Sequence, residues 1–244
     1  MEVHAHSHTP RKKWTHYLWE FLMLFLAVSL GFFVENQREH MVEHQRETQY
    51  MKSMIEDLKS DTTELTENIR LRGERVVMID SLIYLLGQRD ISISGNSIYY
   101  LGRFISPPIS FFPNDRTIQQ LKNSGGLRLI RNMEISNSIM AYDRKMRQLV
   151  FELGDEQQVR GEYRAKANNI FDGEIFHRMM MSKEIVRPAG NPSLFTVDKT
   201  LINEFIMEAQ YLEKVNQKQE GRGQELVEQA RKLIDDIKKQ YSIK

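Results

Sequence analysis

Eighteen residues near the N-terminus, Tyr17 to Val34, form a predominantly apolar run with a single charge, Glu20. Any fold of this chain must find a home for that run. As a helix it spans about 27 Å, close to the ~30 Å hydrocarbon core of a bilayer. Trp14, Tyr17 and Trp19 cluster at one end, as an interfacial aromatic belt would. The strictly uncharged part, Phe21 to Val34, is 14 residues, a length that also suits a cleaved signal. Its only well-placed small-x-small site, Ser29-Leu30-Gly31, is followed by apolar Phe32, Phe33 and Val34. The favoured reading is an uncleaved anchor, with a cleaved signal or a buried soluble helix as the alternatives. Ala27 and Gly31 form a small-x-x-x-small face that would let two spans approach closely. Glu20 is an ionisable group within the span, and so a candidate handle for a partner helix.

Arg11, Lys12 and Lys13 precede the run, whereas an acidic excess follows it, so the positive-inside rule places the N-terminus in the cytoplasm. Residues 1–16 are then expected to be a short cytoplasmic tail with no room for an output domain, 17–34 a transmembrane helix, and 35–244 an exported domain. Lysine and arginine total 34 against 33 acids. Three of those bases and two of those acids lie before residue 35, leaving 31 of each beyond it. A neutral exported domain gives no electrostatic case for nucleic acid. The absence of cysteine excludes disulfides and thiolate-bound metal or haem. A mean hydropathy of -0.50 excludes several spans but allows one.

Beyond the span, apolar residues recur at alternating steps of four and three: Met51, Ile55, Leu58, Thr62, Leu65, Ile69, Arg72, Val76, Ile79, Ile83, Leu86. This seam predicts one long helix over about 35–86, joined to the span without a proline and free to bend near Gly73. A second seam runs Ile135, Ile139, Tyr142, Met146, Leu149, Leu153, Glu156, Arg160, Tyr163, Ala167, Ile170 and predicts a helix over about 133–181 starting at Asn132. Asp198 caps a third, over about 198–241, with a kink expected at Glu220-Gly221-Arg222-Gly223. Between the first two lies a short-helix cap, about 95–124, in which Asn114 or Asp115 starts a helix that ends at Ser124-Gly125-Gly126. The expected fold is all-α: an N-terminal transmembrane helix continuing into an elongated antiparallel helical bundle with a small helical cap. The polar breaks in the seams must be satisfied. Glu156 and Arg160 can pair along one helix, and Arg72 is expected to reach Glu156 across the bundle.

Several segments resemble an uncharacterised family of single-span membrane proteins of Bacteroidota: the Tyr17 to Glu20 approach to the span, Glu56-Asp57-Leu58-Lys59-Ser60-Asp61, Leu121-Lys122-Asn123-Ser124-Gly125-Gly126-Leu127-Arg128-Leu129-Ile130, and Ile139-Met140-Ala141-Tyr142. The resemblance covers roughly residues 14–145. It implies a Gram-negative inner membrane with a periplasmic domain, and it implies no activity.

Among motifs, His40-Met41-Val42-Glu43-His44 matches the inverted zinc-peptidase pattern, with His40 and His44 as ligands and Glu43 as base. No third ligand stands out and the stretch is polar, so a solvated helix face is the simpler reading. His4, His6 and His8 alternate near the N-terminus and can bind metal weakly. Tyr99, Tyr100, Phe104, Phe111 and Phe112 crowd beside Pro107, Pro108 and Pro113, as a partner loop or as the plug of the bundle tip. The glycines at 125 and 126 lack the lysine spacing and the preceding strand of a phosphate loop. No cofactor and no catalytic activity are expected. The leading reading is a membrane-anchored scaffold or accessory subunit that contacts the lipid bilayer and an envelope protein or a second copy. The alternative is a periplasmic sensor or ligand-binding module acting through a separate signalling partner.

Overall fold

The computed structural model describes residues 13–243, and His4, His6 and His8 lie outside them. Six α-helices follow in order: α1 (Trp14–Leu86), α2 (Gly95–Phe104), α3 (Arg116–Asn123), α4 (Met133–Ala167), α5 (Gly173–Met179) and α6 (Lys199–Tyr241). No strand occurs among the described residues. Ile91-Ser92-Ile93-Ser94, whose alternation hints at a strand, is instead a 3-10 turn over Ser92–Ser94. The chain divides into two units, residues 1–49 and 50–244, with α1 contributing to both.

In the first unit the apolar stretch of α1 is long and apolar enough to cross a membrane, and none of it is buried. Trp14, Trp19, Phe25, Phe32 and Phe33 are all exposed.

The second unit is a bundle of the rest of α1 with α4 and α6, capped by the shorter helices. Its cross-helix contacts fix the directions. Tyr142 meets Asp61 and Glu156 meets Arg72, so positions on α1 and α4 advance together. Glu225 meets Lys145 and Glu204 meets Lys166, so α6 runs against α4. Only α6 is therefore antiparallel. The expectation of alternating directions fails for α1 and α4 because the α2–α3 cap is a crossover that returns the chain to the starting end.

The α4 seam is buried throughout except at Leu153, which is half-buried, and Phe205, Leu212, Leu226, Leu233 and Ile237 of α6 are buried against it. The expected 133–181 helix is two helices. α4 stops at Ala167, Ile170 and Phe171 turn into the core, and Asp172 caps α5 by accepting from the Glu174 amide at 2.8 Å. Asn132 and Asp198 cap α4 and α6 as their positions suggest. Neither Asn114 nor Asp115 caps α3 with its side chain. Asp57 of α1 does so from outside, accepting from the Thr117 amide at 2.9 Å, while Asp61 accepts from the Asn114 amide at 2.7 Å. Gly125 closes α3 at φ +68, a backbone region that suits glycine.

The helix α6 passes through Gly221 and Gly223 without a break, contrary to the expected kink. A Cβ at Gly223 would meet Ile69 Cγ1 at 3.0 Å, so this glycine lets α6 approach α1 closely. α1 likewise continues through Gly73.

Two apolar cores are strung along the bundle. One joins Met51 to Leu65 of α1 with Ile135 to Leu149 of α4 and Leu226 to Ile237 of α6. The other joins Ile79 to Leu86 with Tyr163 to Ile170 and Ile202 to Leu212, and includes Ile98, Tyr99 and Ile105 of the cap. Between them each long helix contributes buried polar residues: Asn68, Arg72 and Arg75 from α1, Glu152, Glu156 and Arg160 from α4, and Glu213, Asn216 and Gln219 from α6.

Candidate functional site

The polar layer between the cores is where the bundle departs furthest from what packing alone would choose, because buried charge is costly unless it is paired. Arg72 Nη1 lies 2.9 Å from Glu156 Oε2, and both side chains are only 4% exposed. Arg160 pairs with the other oxygen of the same carboxylate. The cross-bundle pairing expected of Arg72 is therefore present, as is the pairing of Glu156 with Arg160 along α4. Arg72 also donates to Asn216 Oδ1 at 3.2 Å.

Further guanidinium donors are met by carbonyls of the loop after α2, although Arg160 Nε finds no hydrogen-bond partner among the described residues. Arg160 Nη1 donates to Ile105 O at 3.0 Å and Pro107 O at 3.0 Å, and Arg75 Nη1 donates to Pro107 O at 2.6 Å. Arg164 donates through Nε to Ser106 Oγ at 3.0 Å and through Nη2 to Ser106 O at 2.8 Å. Residues 105–107 thus lie in a clasp of three arginines that fixes the cap to the bundle. Carbonyls satisfy hydrogen bonds but do not cancel charge. Among the described residues Arg75 makes no ion pair, and burial beside Arg160 and Arg72 pulls it down to about 10. Of the three buried arginines Arg72, Arg75 and Arg160, two pair with Glu156.

The surface of this clasp opens into a groove of about 500 Å³. Arg103, Ser106 and Arg164 are among its polar lining residues, and Phe176, Met180 and Ile185 among its apolar ones. No acid lines it. Deeper in the layer, Asn68 Oδ1 and Gln219 Oε1 have no hydrogen-bond partner in the protein. Both residues line a cavity of about 10 Å³, room for about one water.

The residues singled out from the sequence fare differently. Tyr99 and Phe111 are fully buried, one in each core. Tyr99 is a hub: its hydroxyl donates to Ser193 O at 3.1 Å and accepts from the Asp172 amide at 3.0 Å, and its ring meets Phe171 and Phe176 edge-on. Tyr100 stacks on Phe104, with the Arg187 guanidinium 4.0 Å from the Tyr100 ring centre, and Phe112 is 77% exposed. These five aromatics do not form one loop surface. His40, Glu43 and His44 are not gathered around a common point. His40 Nδ1 lies 3.8 Å from Glu43, while His44 Nδ1 lies 3.3 Å from a different acid, Glu47. Among the described residues no group of three His, Asp or Glu is placed to hold a metal. Glu20 Oε1 lies 3.0 Å from His16 Nε2. Ala27 and Gly31 lie on the exposed stretch of α1, and a Cβ at Gly31 would meet open space.

Arg75 is one of the layer residues that the seam reading passes over, here in favour of Val76. The register of burial shows why: beyond Arg72 the buried positions run Arg75, Ile79, Leu82 and Leu86, one residue earlier than Val76 and Ile83. The same alternation of threes and fours fits both registers. No family model, curated protein or solved structure matches this chain.

Proposed function

We propose that this protein is a membrane-anchored helical interaction protein of the cell envelope, with no catalytic role. In this reading residues 17–34 form a single span of the inner membrane, the N-terminus is cytoplasmic and the bundle is periplasmic. The bundle binds another envelope protein or a second copy. The observation that supports the reading most is the apolar stretch of α1, of which no part is buried. A contiguous exposed apolar surface of this length is rare on a soluble monomer, and lipid is the partner whose chemistry suits it. Arg11, Lys12 and Lys13 favour the stated orientation.

A reporter that works only outside the cytoplasm, fused after Lys244, should be active. Crosslinking in native membranes followed by mass spectrometry should recover one stoichiometric partner. A mature protein beginning at Phe32 overturns the anchor, and an inactive reporter overturns the orientation.

One observation favours a second reading, a ligand-binding module working through a separate signalling partner. It is the open, acid-free groove beside Ser106.

A further inference from the structure

We propose that the groove beside Ser106 binds a small organic anion, a carboxylate or phosphate on an apolar body, with Arg103 and Arg164 as its counter-charges. The proposal deepens the ligand-binding reading by naming a ligand class.

At about 500 Å³ the groove falls within the size range of small-molecule sites. Its lining is of two kinds: two guanidinium groups and the Ser106 hydroxyl are polar, while Phe176, Met180 and Ile185 offer apolar surface. Neither Arg103 nor Arg164 makes an ion pair among the described residues. Arg164 spends Nε and Nη2 on Ser106, which fixes the plane of its guanidinium and leaves Nη1 without a hydrogen bond there. Arg103 makes no side-chain hydrogen bond among the described residues, and its guanidinium sits 5.6 Å from the Phe176 ring centre. A planar guanidinium held on one edge is suited to forked recognition of a carboxylate or phosphate.

The charge beneath reinforces this. Arg75 and Arg160 both donate to Pro107 O, and Pro107 lines the groove. With Arg72 they form a buried trio whose one carboxylate, Glu156, is already shared by two of them. The trio with its single paired carboxylate carries surplus positive charge, Glu152 of the same layer being taken by Lys218 and Arg222, and no acid in the groove wall offsets it. A neutral ligand would gain nothing from that field, and a cation would be repelled.

The probe is phenyl phosphate, with phenol as its neutral counterpart, titrated calorimetrically into the full chain in nanodiscs. Phenyl phosphate should bind saturably and phenol should not. Arg103→Gln and Arg164→Gln should each weaken phenyl phosphate binding by about tenfold or more. Arg164→Gln also loosens Ser106, so Arg103→Gln is the decisive variant, and unchanged helical circular dichroism confirms its fold. Repeating the titration in zwitterionic and in anionic nanodiscs identifies the source of the anion. Equal binding in both supports a soluble anion, and competition by the anionic lipid supports a headgroup carrying the same chemistry. Absence of phenyl phosphate binding, or binding indifferent to Arg103→Gln, overturns the proposal. Phenol binding as tightly as phenyl phosphate overturns the anion assignment but leaves the ligand-binding reading standing.

Discussion

Glu156 is the sole carboxylate that pairs with Arg72 and Arg160, and Arg75 beside them has none. Its removal would leave three buried guanidinium groups facing one another. Breaking a buried pair in this way costs about 3–5 kcal/mol, because the stranded charge is not returned to water. Glu156→Ala should therefore lower the urea midpoint sharply, and Glu156→Gln, which keeps an acceptor, should lower it less. Equal, small effects from both would mean that the carbonyls of Ile105, Ser106 and Pro107 carry the arginines unaided. Asp61 presents the opposite balance. Its carboxylate accepts from the Asn114 amide and the Tyr142 hydroxyl but pairs with no cation, and burial pushes its pKa up. A raised folded-state value means that this group favours the folded state most below the ordinary carboxylate range. That contribution is lost as pH rises through the raised value. Asp61→Asn keeps an acceptor for the Asn114 amide and removes the titration. Relative to the unmodified chain it should gain in melting temperature as pH climbs from the carboxylate range toward neutrality. A constant difference across that window would show that Asp61 does not titrate with folding.

At the scale of elements, the two glycines of α6 should respond in opposite ways. Gly221 has nothing within 4 Å of a would-be Cβ, so Gly221→Ala gains helix propensity without a clash and should stabilise by about 0.5–1 kcal/mol. At Gly223 the added methyl meets Ile69 Cγ1 at 3.0 Å, so Ile69 must give way by a few tenths of an ångström in a packed seam, and the same substitution should destabilise by about 1 kcal/mol. Equal gains from both, measured by thermal denaturation, would mean that Ile69 yields freely. The sequence shows two weak helix formers close together and cannot tell a kink from a close approach, because the distinguishing atom sits about 150 residues earlier in the chain. Other elements were legible for the converse reason. The α4 seam repeats over about nine turns of one helix, and the caps at Asn132 and Asp198 act on amides two and three residues away. Where the partner is remote, the signal disappears. Asp57 caps α3 across 60 residues of chain. At the break after Ala167, Phe171 packs on Tyr99 and Phe205, remote partners that join the local Asp172 cap. The groove is the extreme case. Arg103, Arg164 and Ile185 come from three segments, and only the fold reveals that no acid joins them.

For the molecule as a whole, the two units differ in what their apolar residues do. Every residue of both apolar cores is numbered 51 or higher, and the partly buried residues packed on them begin at Tyr50. The apolar side chains from Trp14 to Val34 take part in neither core. Their burial, if lipid provides it, stabilises membrane attachment and not the bundle. The cooperative transition of the bundle should therefore be nearly indifferent to the span. A chain beginning at residue 44 should keep its helical circular dichroism per residue and melt within about 3 °C of the full chain, a shift that corresponds to under ~1 kcal/mol for a domain of this size. It should also move from the membrane pellet to the soluble fraction. A large fall in melting temperature would show that α1 before residue 44 contributes to the bundle's folding. Retention in the pellet with an unchanged melt would show instead a second membrane-binding surface on the bundle. Val150 and Phe151, which α4 leaves 41% and 72% exposed, are the first place to look for it. Substituting both with serine in the shortened chain would then release it to the soluble fraction.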